Sequence, residues 1–258
     1  PKSIVEQKTE TEKRGINQVL LKQTVLEPIE KRIDVHLKEP YSIGPYNEIR
    51  EGKQWIRLTE GYCPHKCIWC GEKTVKEPKT YPIPTIGAND VSLLDMNLLS
   101  APSAHDIITS LGKIRYNGKL VYYHLLCGFD YRLLTKEFAE EIKASHFQYP
   151  KLAWDRNIDQ APRIKKSIKL LEGVGYKRKD ILVFILANHP FVSYQEAVNK
   201  AFCLAVQGVQ IDPCIFDKQI KRPWKPIGWT VEEIDEFQRI TRKINMIVRF
   251  GGIDPEAF

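Results

Sequence analysis

The chain has 258 residues, 43% of them hydrophobic and 28% charged, with a net charge of +7. That length and composition suffice for a single domain, 1–258, with a full core. The longest apolar run, 181–187, is too short to cross a bilayer, and the polar N-terminus has no apolar signal-peptide core. Six cysteines, three clustered and three scattered, do not form a disulfide pattern. We therefore expect a cytoplasmic protein without membrane contact.

The first 52 residues are expected to form an N-terminal extension. Residues 1–31 are rich in lysine and glutamate, and their function is not readable from the sequence. A strand-like alternation at 33–37 is followed by turn-forming proline and glycine, which predicts a cover over one end of the core. The core itself is expected to span 53–215, and 216–258 to form a flap and a terminal helix.

Three cysteines stand close together directly after a strand-like segment. Cys63, Cys67 and Cys70 have the spacing C-x3-C-x2-C. Such thiolates converge on one point, most simply a metal, and both zinc and an iron–sulfur cluster accept them. A structural zinc needs four protein ligands, and no second cysteine or histidine pair follows. A [4Fe–4S] cluster held by three cysteines leaves one iron open to a small molecule. Zinc binding and plain core packing remain the alternatives.

The cysteine spacing, with the aromatic Trp69 before the last cysteine, resembles the signature of the radical S-adenosylmethionine (SAM) superfamily. The resemblance implies that Cys63, Cys67 and Cys70 bind three irons of a [4Fe–4S] cluster and that SAM chelates the fourth. An electron from an external donor of the flavodoxin or ferredoxin type then cleaves SAM, and the 5′-deoxyadenosyl radical removes a hydrogen atom from a substrate. The chain is thus expected to be an enzyme of the lyase or oxidoreductase type.

Strand-like and helix-like segments alternate along the core. Such alternation favours an α/β fold with a parallel sheet, and six units are too few for an eight-stranded barrel. The resemblance implies a partial (β/α)6 TIM-like barrel with the cysteine loop after the first strand. Periodicity alone leaves a doubly wound open sheet as an alternative. The predicted strands are Trp55–Thr59, Asp90–Asp95, Leu120–Leu126, Lys151–Trp154, Ile181–Leu186 and Val209–Ile215.

In both architectures ligands bind at the carboxyl ends of the strands, so polar residues there are the candidates for function. Asp95 and Asn97 follow the second strand. The family holds the SAM amino group at this position, although this chain lacks the family's glycine–glycine–glutamate motif. Asp95 and Asn97 are therefore expected to accept hydrogen bonds from the ammonium of SAM. The alternative for Asp95 is that it caps a turn.

Further cofactor contacts are expected at the later strand ends. Asp155 follows the fourth strand and is expected to bind the ribose hydroxyls, while Asn188 follows the fifth and is expected to contact ribose or adenine. Trp69 is expected to pack on the adenine, with core packing as the alternative. Cys214, on the last strand, is also expected to contact the cofactor. The alternative is that it packs as a small core residue, as lone cysteines commonly do.

The end of the third strand carries the densest polar group outside the cysteine loop. His124 lies on the strand, and Gly128 lets the chain turn so that Asp130 and Arg132 point into the mouth. We expect Arg132 to bind an anionic or carbonyl group of the substrate, and Asp130 and His124 to form hydrogen bonds or transfer a proton. Cys127 is a candidate hydrogen-atom donor to a substrate radical. An Asp–Arg pair that braces a turn is the alternative.

Residues 216–229 mix basic and aromatic side chains, a pattern that suits stacking on a base beside a phosphate but also a rigid flap. A capping box at Thr230 and Glu233 begins the terminal helix. A radical SAM enzyme that modifies tRNA is therefore an alternative function. Nucleic acid is not favoured as a partner, because no appended RNA-binding domain is visible.

The expected substrate is a small molecule. The segment from Ile56 through Cys70 also resembles 7-carboxy-7-deazaguanine synthase, a small member of the superfamily, although the residues around the cysteines differ. This likeness implies a nucleobase or 7-deazapurine ligand, including the case of a lyase that releases the base in queuine salvage. The remaining hypothesis is a non-enzymatic module that binds zinc or an iron–sulfur cluster.

Overall fold

The computed structural model of the chain describes residues 44–65, 67, 70, 75–155, 157–216 and 228–251. Most of the expected extension, 1–43, and most of the expected flap, 217–227, lie outside these ranges. The described part is a mixed α/β structure with several sheets and five α-helices. None of those helices combines the length and the apolar character that crossing a bilayer requires.

Strands and helices alternate along most of the described chain. The strands are β1 (Tyr46–Arg50), β2 (Lys53–Arg57), β3 (Thr59–Glu60), β4 (Lys79–Thr80), β5 (Asp90–Leu93), β6 (Arg115–Tyr116), β7 (Lys119–Leu120), β8 (Tyr122–Leu125), β9 (Lys151–Trp154), β10 (Leu182–Ala187) and β11 (Gln210–Ile215). The α-helices are α1 (Ala104–Lys113), α2 (Lys136–Ala144), α3 (Ala161–Gly173), α4 (Tyr194–Val206) and α5 (Val231–Met246).

The larger sheets contain parallel strands that follow one another in chain order. One sheet has the order β1-β2-β5-β8, and a second has the order β11-β10-β9. Strands β2, β5 and β8 are parallel, as are β9, β10 and β11. Isolated parallel bridges, Tyr123 to Phe147 and Phe129 to Leu152, join β8 and its following loop to β9 and the chain before it. Within the described residues no barrel closes.

Each of the six predicted strands overlaps one of these parallel strands. The overlap follows from burial, because a parallel sheet is covered on both faces and its strands read as short apolar runs. Strand β10 is the clearest case, with Val183 and Ile185 fully buried. The helices bury their apolar sides in the same core, as α1 does with Ile108 and Leu111.

The antiparallel pairing of β1 with β2 was not predicted. The two strands are joined by Glu51 and Gly52, and both residues have positive φ angles, 52° and 74°. A two-residue turn of this kind matches the twist of a hairpin, and glycine is the residue that most readily adopts it. Gly52 therefore indicated a turn in the sequence. Glutamate is unusual at the other turn position, so the hairpin was not recognised.

The last parallel strand is protected at its outer edge by a side chain from α5. The amide of Asn245 accepts a hydrogen bond from Ile211 N at 2.7 Å and donates one to Ile211 O at 2.7 Å. Pro213 lies in the same strand and has no N–H to offer a further strand. Asn245 therefore occupies the pairing groups that an edge strand would otherwise expose.

We expect Asn245→Ala to lower the free energy of unfolding by about 2 kcal/mol, because it removes two hydrogen bonds and leaves two backbone groups unpaired. Urea denaturation measures this change. The control is Asn199→Ala, since Asn199 is exposed on α4 and bonds only the exposed Gln195 among the described residues. The control is expected to stay within about 0.5 kcal/mol of the parent. Equal stabilities of the two variants would contradict the edge role of Asn245.

Candidate functional site

A cavity of about 470 Å³ lies at the carboxyl ends of the parallel strands. Because these ends meet at one edge of the sheet, the loops that follow different strands contribute to one wall. The wall is largely apolar, with a few polar and sulfur-bearing groups. The predicted site residues that line it are Cys63, Cys67, Cys70, Asn97, Cys127, Asp130, Arg132, Asp155 and Cys214.

The three clustered cysteines reach this cavity from the loop after β3. The loop is turned by short-range backbone bonds, from Cys67 N to His65 O at 2.9 Å and from Cys70 N to Cys67 O at 3.1 Å. Within the described residues, no three Cys, His, Asp or Glu side chains meet closely enough to bind one metal ion. The thiolates of a [4Fe–4S] cluster bind separate irons, so a cluster does not require so close a meeting.

Asn97 connects the end of the second parallel strand to the cysteine loop. Its Nδ2 donates to Cys63 Sγ at 3.4 Å and to Asp130 Oδ2 at 3.1 Å. Its Oδ1 is buried and accepts no hydrogen bond from any residue in the described ranges. A buried acceptor without a donor costs free energy, and Asn97 lies on the cavity wall. Asn97 therefore offers an acceptor to a ligand in the cavity.

Asp130 and Arg132 form a pair at the end of the third parallel strand. Arg132 Nε donates to Asp130 Oδ1 at 2.6 Å, and Arg132 Nη2 donates to Asp130 Oδ2 at 3.1 Å. Burial alone raises the pKa of Asp130, but the hydrogen bonds and charge of Arg132 outweigh it, so the pKa is lowered. The turn itself depends on Gly128, whose φ is 79°. The predicted brace of a turn is thus present, and it lines the cavity.

His65 is a site residue that the sequence did not single out. Its Nε2 lies 2.8 Å from Asp130 Oδ2, although the two residues are far apart in the chain. In the sequence His65 lies between two cysteines of the motif, too close to both to be a comfortable fourth zinc ligand. A contact between distant loops has no signal in local spacing, so the structure alone reveals it.

Two further cysteines and a carboxylate line the cavity as predicted candidates. Cys127 Sγ lies 3.5 Å from Met96 Sδ and 3.9 Å from Leu94 O. Asp155 follows β9, and Cys214 lies on β11. Their assignment to a cofactor or substrate stays a prediction.

Asp95 lies beside the cavity but not on its wall. Its Oδ1 accepts from Leu58 N at 3.1 Å, from Thr59 N at 2.6 Å and from Thr59 Oγ1 at 2.7 Å. Burial raises the pKa of Asp95, and these hydrogen bonds oppose that rise. The carboxyl group therefore fixes the chain where it leaves β2 toward the cysteine loop, as in the turn-capping alternative.

Asn188 is also used within the fold. It is fully buried with a φ of 56°, and its Nδ2 donates to Phe216 O at 2.9 Å. Its Oδ1 accepts from Gly228 N at 3.1 Å and Trp229 N at 3.2 Å. Asn188 thus ties the ends of β10 and β11 to the start of α5. It is not among the residues of the cavity wall.

His124 is separated from the group with which the sequence placed it. It lies inside β8, opposite Ser92, and its Nε2 is 3.3 Å from Asp90 Oδ1 at the first residue of β5. Alternation puts His124 on the same face as Leu126, which lines the cavity, but nearer the amino ends of the strands. Burial lowers the pKa of His124, and Asp90 opposes this effect. The structure therefore does not bring His124 to the cavity wall.

The neighbour of Asn188, His189, gives the fold a pH dependence. Its ring is fully buried between the rings of Phe191 and Phe216, and burial lowers its pKa from 6.5 to about 4. The unfolded chain then binds more protons than the folded one between these values, so stability rises with pH.

We expect the free energy of unfolding to be highest above pH 6.5 and to fall by up to about 3 kcal/mol as the pH drops toward 4. His189→Phe keeps an aromatic ring but removes the titrating group. Urea unfolding at several pH values is therefore expected to show a flatter profile for this variant. If the free energy of unfolding of His189→Phe fell between pH 6.5 and 4 as steeply as that of the parent, the assignment to His189 would be contradicted.

Trp69 lies outside the described residues. The adenine contact predicted for Trp69 therefore stays a prediction. In comparison with known proteins, no family model matches the chain, and no curated protein is significantly similar to it.

Proposed function

We propose that the chain is a radical SAM enzyme that acts on a small molecule of the nucleobase or 7-deazapurine class. One observation carries the proposal: the three cysteines of the C-x3-C-x2-C motif line the same cavity as the carboxyl ends of the parallel strands. A motif that arose by chance has no reason to lie at the edge where α/β folds bind ligands.

The partial (β/α)6 TIM-like barrel is part of this proposal. Six parallel strands in chain order, with helices between most of them and no closure among the described residues, are what such a half-open barrel requires. The cysteine loop follows the first of these strands and lies between β3 and β4, which pair with each other. This is the place that the resemblance assigns to it.

The residues present fit a [4Fe–4S] cluster and SAM. Cys63, Cys67 and Cys70 supply soft thiolate ligands, and Asn97 donates an N–H to one of those sulfurs. The Oδ1 of Asn97 offers the acceptor that the ammonium of SAM needs. When bound, the cluster and SAM supply one-electron cleavage of the sulfonium, and an external reductant of the flavodoxin or ferredoxin type delivers that electron.

The chain's own side chains orient the ligands. Asp155 lines the cavity and would accept hydrogen bonds from the ribose of SAM. Asp95 acts indirectly by fixing the chain that leads into the cysteine loop. Arg132 keeps Nη1 without an acceptor among the described residues, so this nitrogen can donate to a carbonyl or anionic group of the substrate. Apolar side chains such as Phe184 and Leu186 exclude water from the same space.

The size of the cavity agrees with a small substrate. About 470 Å³ lies within the range of small-molecule pockets, roughly 300 to 1,000 Å³. Apolar walls suit a planar base, and among the described lining residues Arg132 supplies a cationic group that suits a carbonyl or carboxyl substituent. These features support the nucleobase class without selecting one member of it.

The substrate class is tested by isotope transfer. The anaerobically reconstituted chain is incubated with SAM, a reductant and a panel of purine and 7-deazapurine compounds that carry deuterium on carbon. We expect deuterium to appear in 5′-deoxyadenosine with at least one compound. Cleavage of SAM without transfer from any of them would remove the nucleobase class. A cluster-loaded chain that cannot cleave SAM would contradict the proposed enzyme.

A further inference from the structure

The carboxylate of Asp130 joins the cysteine loop to the loop after the third parallel strand. Its Oδ2 lies 2.8 Å from His65 Nε2 and accepts from Asn97 Nδ2 at 3.1 Å. The Asp130 side chain is only 4% exposed, and that of His65 is 21% exposed. Hydrogen bonds to a charged group that is shielded from water are stronger than neutral ones.

Arg132 fixes this carboxylate from the opposite side. The backbone N and the side-chain Nε of Arg132 donate to Asp130 Oδ1, at 3.0 and 2.6 Å, and Nη2 donates to Oδ2. Both carboxylate oxygens are thereby engaged, so the group cannot rotate without losing several bonds. We call the set of His65, Asn97, Asp130 and Arg132 the Asp130 bracket.

The bracket contacts the cysteine loop at two points. His65 lies within the loop, and Asn97 donates to Cys63 Sγ at 3.4 Å. The Nδ2 of Asn97 has two hydrogens, one for the carboxylate and one for the sulfur, so the orientation of the amide is fixed. A shift of Asp130 would therefore change the position of His65 and of Cys63 together.

We propose that the Asp130 bracket holds the cysteine loop against the loop after the third parallel strand, so that Cys63 and His65 keep their positions on the cavity wall. Asp130 and Asn97 are positioning residues in this role, since they act through His65 and Cys63. The use of those positions for a cluster rests on the proposed iron–sulfur site, whereas the coupling of the two loops does not.

The coupling is tested on the full chain without metal by amide hydrogen exchange. The reporters are the amides of Cys67 and Cys70, which bond to carbonyls inside the loop. We expect Asp130→Ala and His65→Ala each to raise their exchange rates roughly tenfold, because a charge-assisted hydrogen bond is lost. His65 is partly exposed, so its substitution carries less risk of unfolding.

The control is Asp90→Ala, which breaks another histidine–carboxylate contact, between Asp90 and His124. It is expected to leave exchange in the cysteine loop unchanged. Loop amides that exchange at the parent rate in both Asp130→Ala and His65→Ala would overturn the bracket. The bracket would also be overturned if Asp90→Ala raised the exchange rates of the loop amides as much as Asp130→Ala does.

A parent chain that builds no iron–sulfur cluster after reconstitution would contradict the proposed function. Hydrogen exchange in the chain without metal would still decide the bracket.

Discussion

Replacement of Cys63, Cys67 or Cys70 by alanine is expected to abolish assembly of the iron–sulfur cluster. A cubane that has one open iron already depends on only three thiolates, so the loss of one leaves two irons without protein ligands. We expect iron after reconstitution to fall from about four per chain to well below one, and formation of 5′-deoxyadenosine to fall to background. Iron analysis and chromatography of the reaction products measure both changes.

The control for this series is Cys203→Ala. Cys203 lies on α4, is partly buried and does not line the cavity. It is expected to retain the full iron content and the parent rate of SAM cleavage. If a cysteine of the motif could be removed without loss of iron, the three thiolates would not be the ligands that the proposal requires.

The second large effect is expected from Arg132→Ala. Arg132 lines the cavity, and its Nη1 has no hydrogen-bond acceptor among the described residues. Loss of a charged donor to the substrate is expected to lower substrate-dependent turnover about 100-fold, while slow SAM cleavage without substrate stays within about threefold. Arg132→Lys keeps the charge but not the planar pair of bonds to Asp130, so it is expected to recover only part of the loss.

A matched arginine–carboxylate pair away from the cavity provides the control. Arg178 donates to both oxygens of Glu172, at 2.8 and 3.0 Å, outside the cavity wall. Arg178→Ala is expected to leave turnover unchanged. The role of Arg132 would be contradicted by equal effects of the two substitutions, or by an Arg132→Ala variant whose turnover matches the parent.

The sequence predicted the parallel strands and the cysteine loop because both signals are local. Strand β10 is a short apolar run, and three cysteines at fixed spacing need no distant partner to be recognised. The mixed α/β class is confirmed by the structure. The hairpin of β1 and β2 was missed, since its turn at Glu51 and Gly52 lacks the usual asparagine or aspartate.

The sequence predicted a site residue correctly only where its position after a strand is enough to place its side chain on the cavity wall. Asn97, Asp130 and Arg132 follow strands and line the cavity, as expected from the carboxyl ends of a parallel sheet. Asp95 and Asn188 also follow strands, but their side chains bond the backbone instead. A shift of one position along the chain puts a side chain on the other face, and a short polar run does not indicate which face each of its residues takes. The contact of His65 with Asp130 depends on two loops meeting, which no local pattern predicts.

The central claim is that the three cysteines leave one iron open for SAM. The direct measurement is electron–nuclear double resonance on the reduced cluster of the parent chain, with SAM labelled by ¹⁵N at the methionyl amino group and ¹⁷O at the carboxylate. We expect both labels to couple strongly to the cluster. A cluster that forms but shows neither coupling, or a colourless chain that binds a single zinc, would contradict the account.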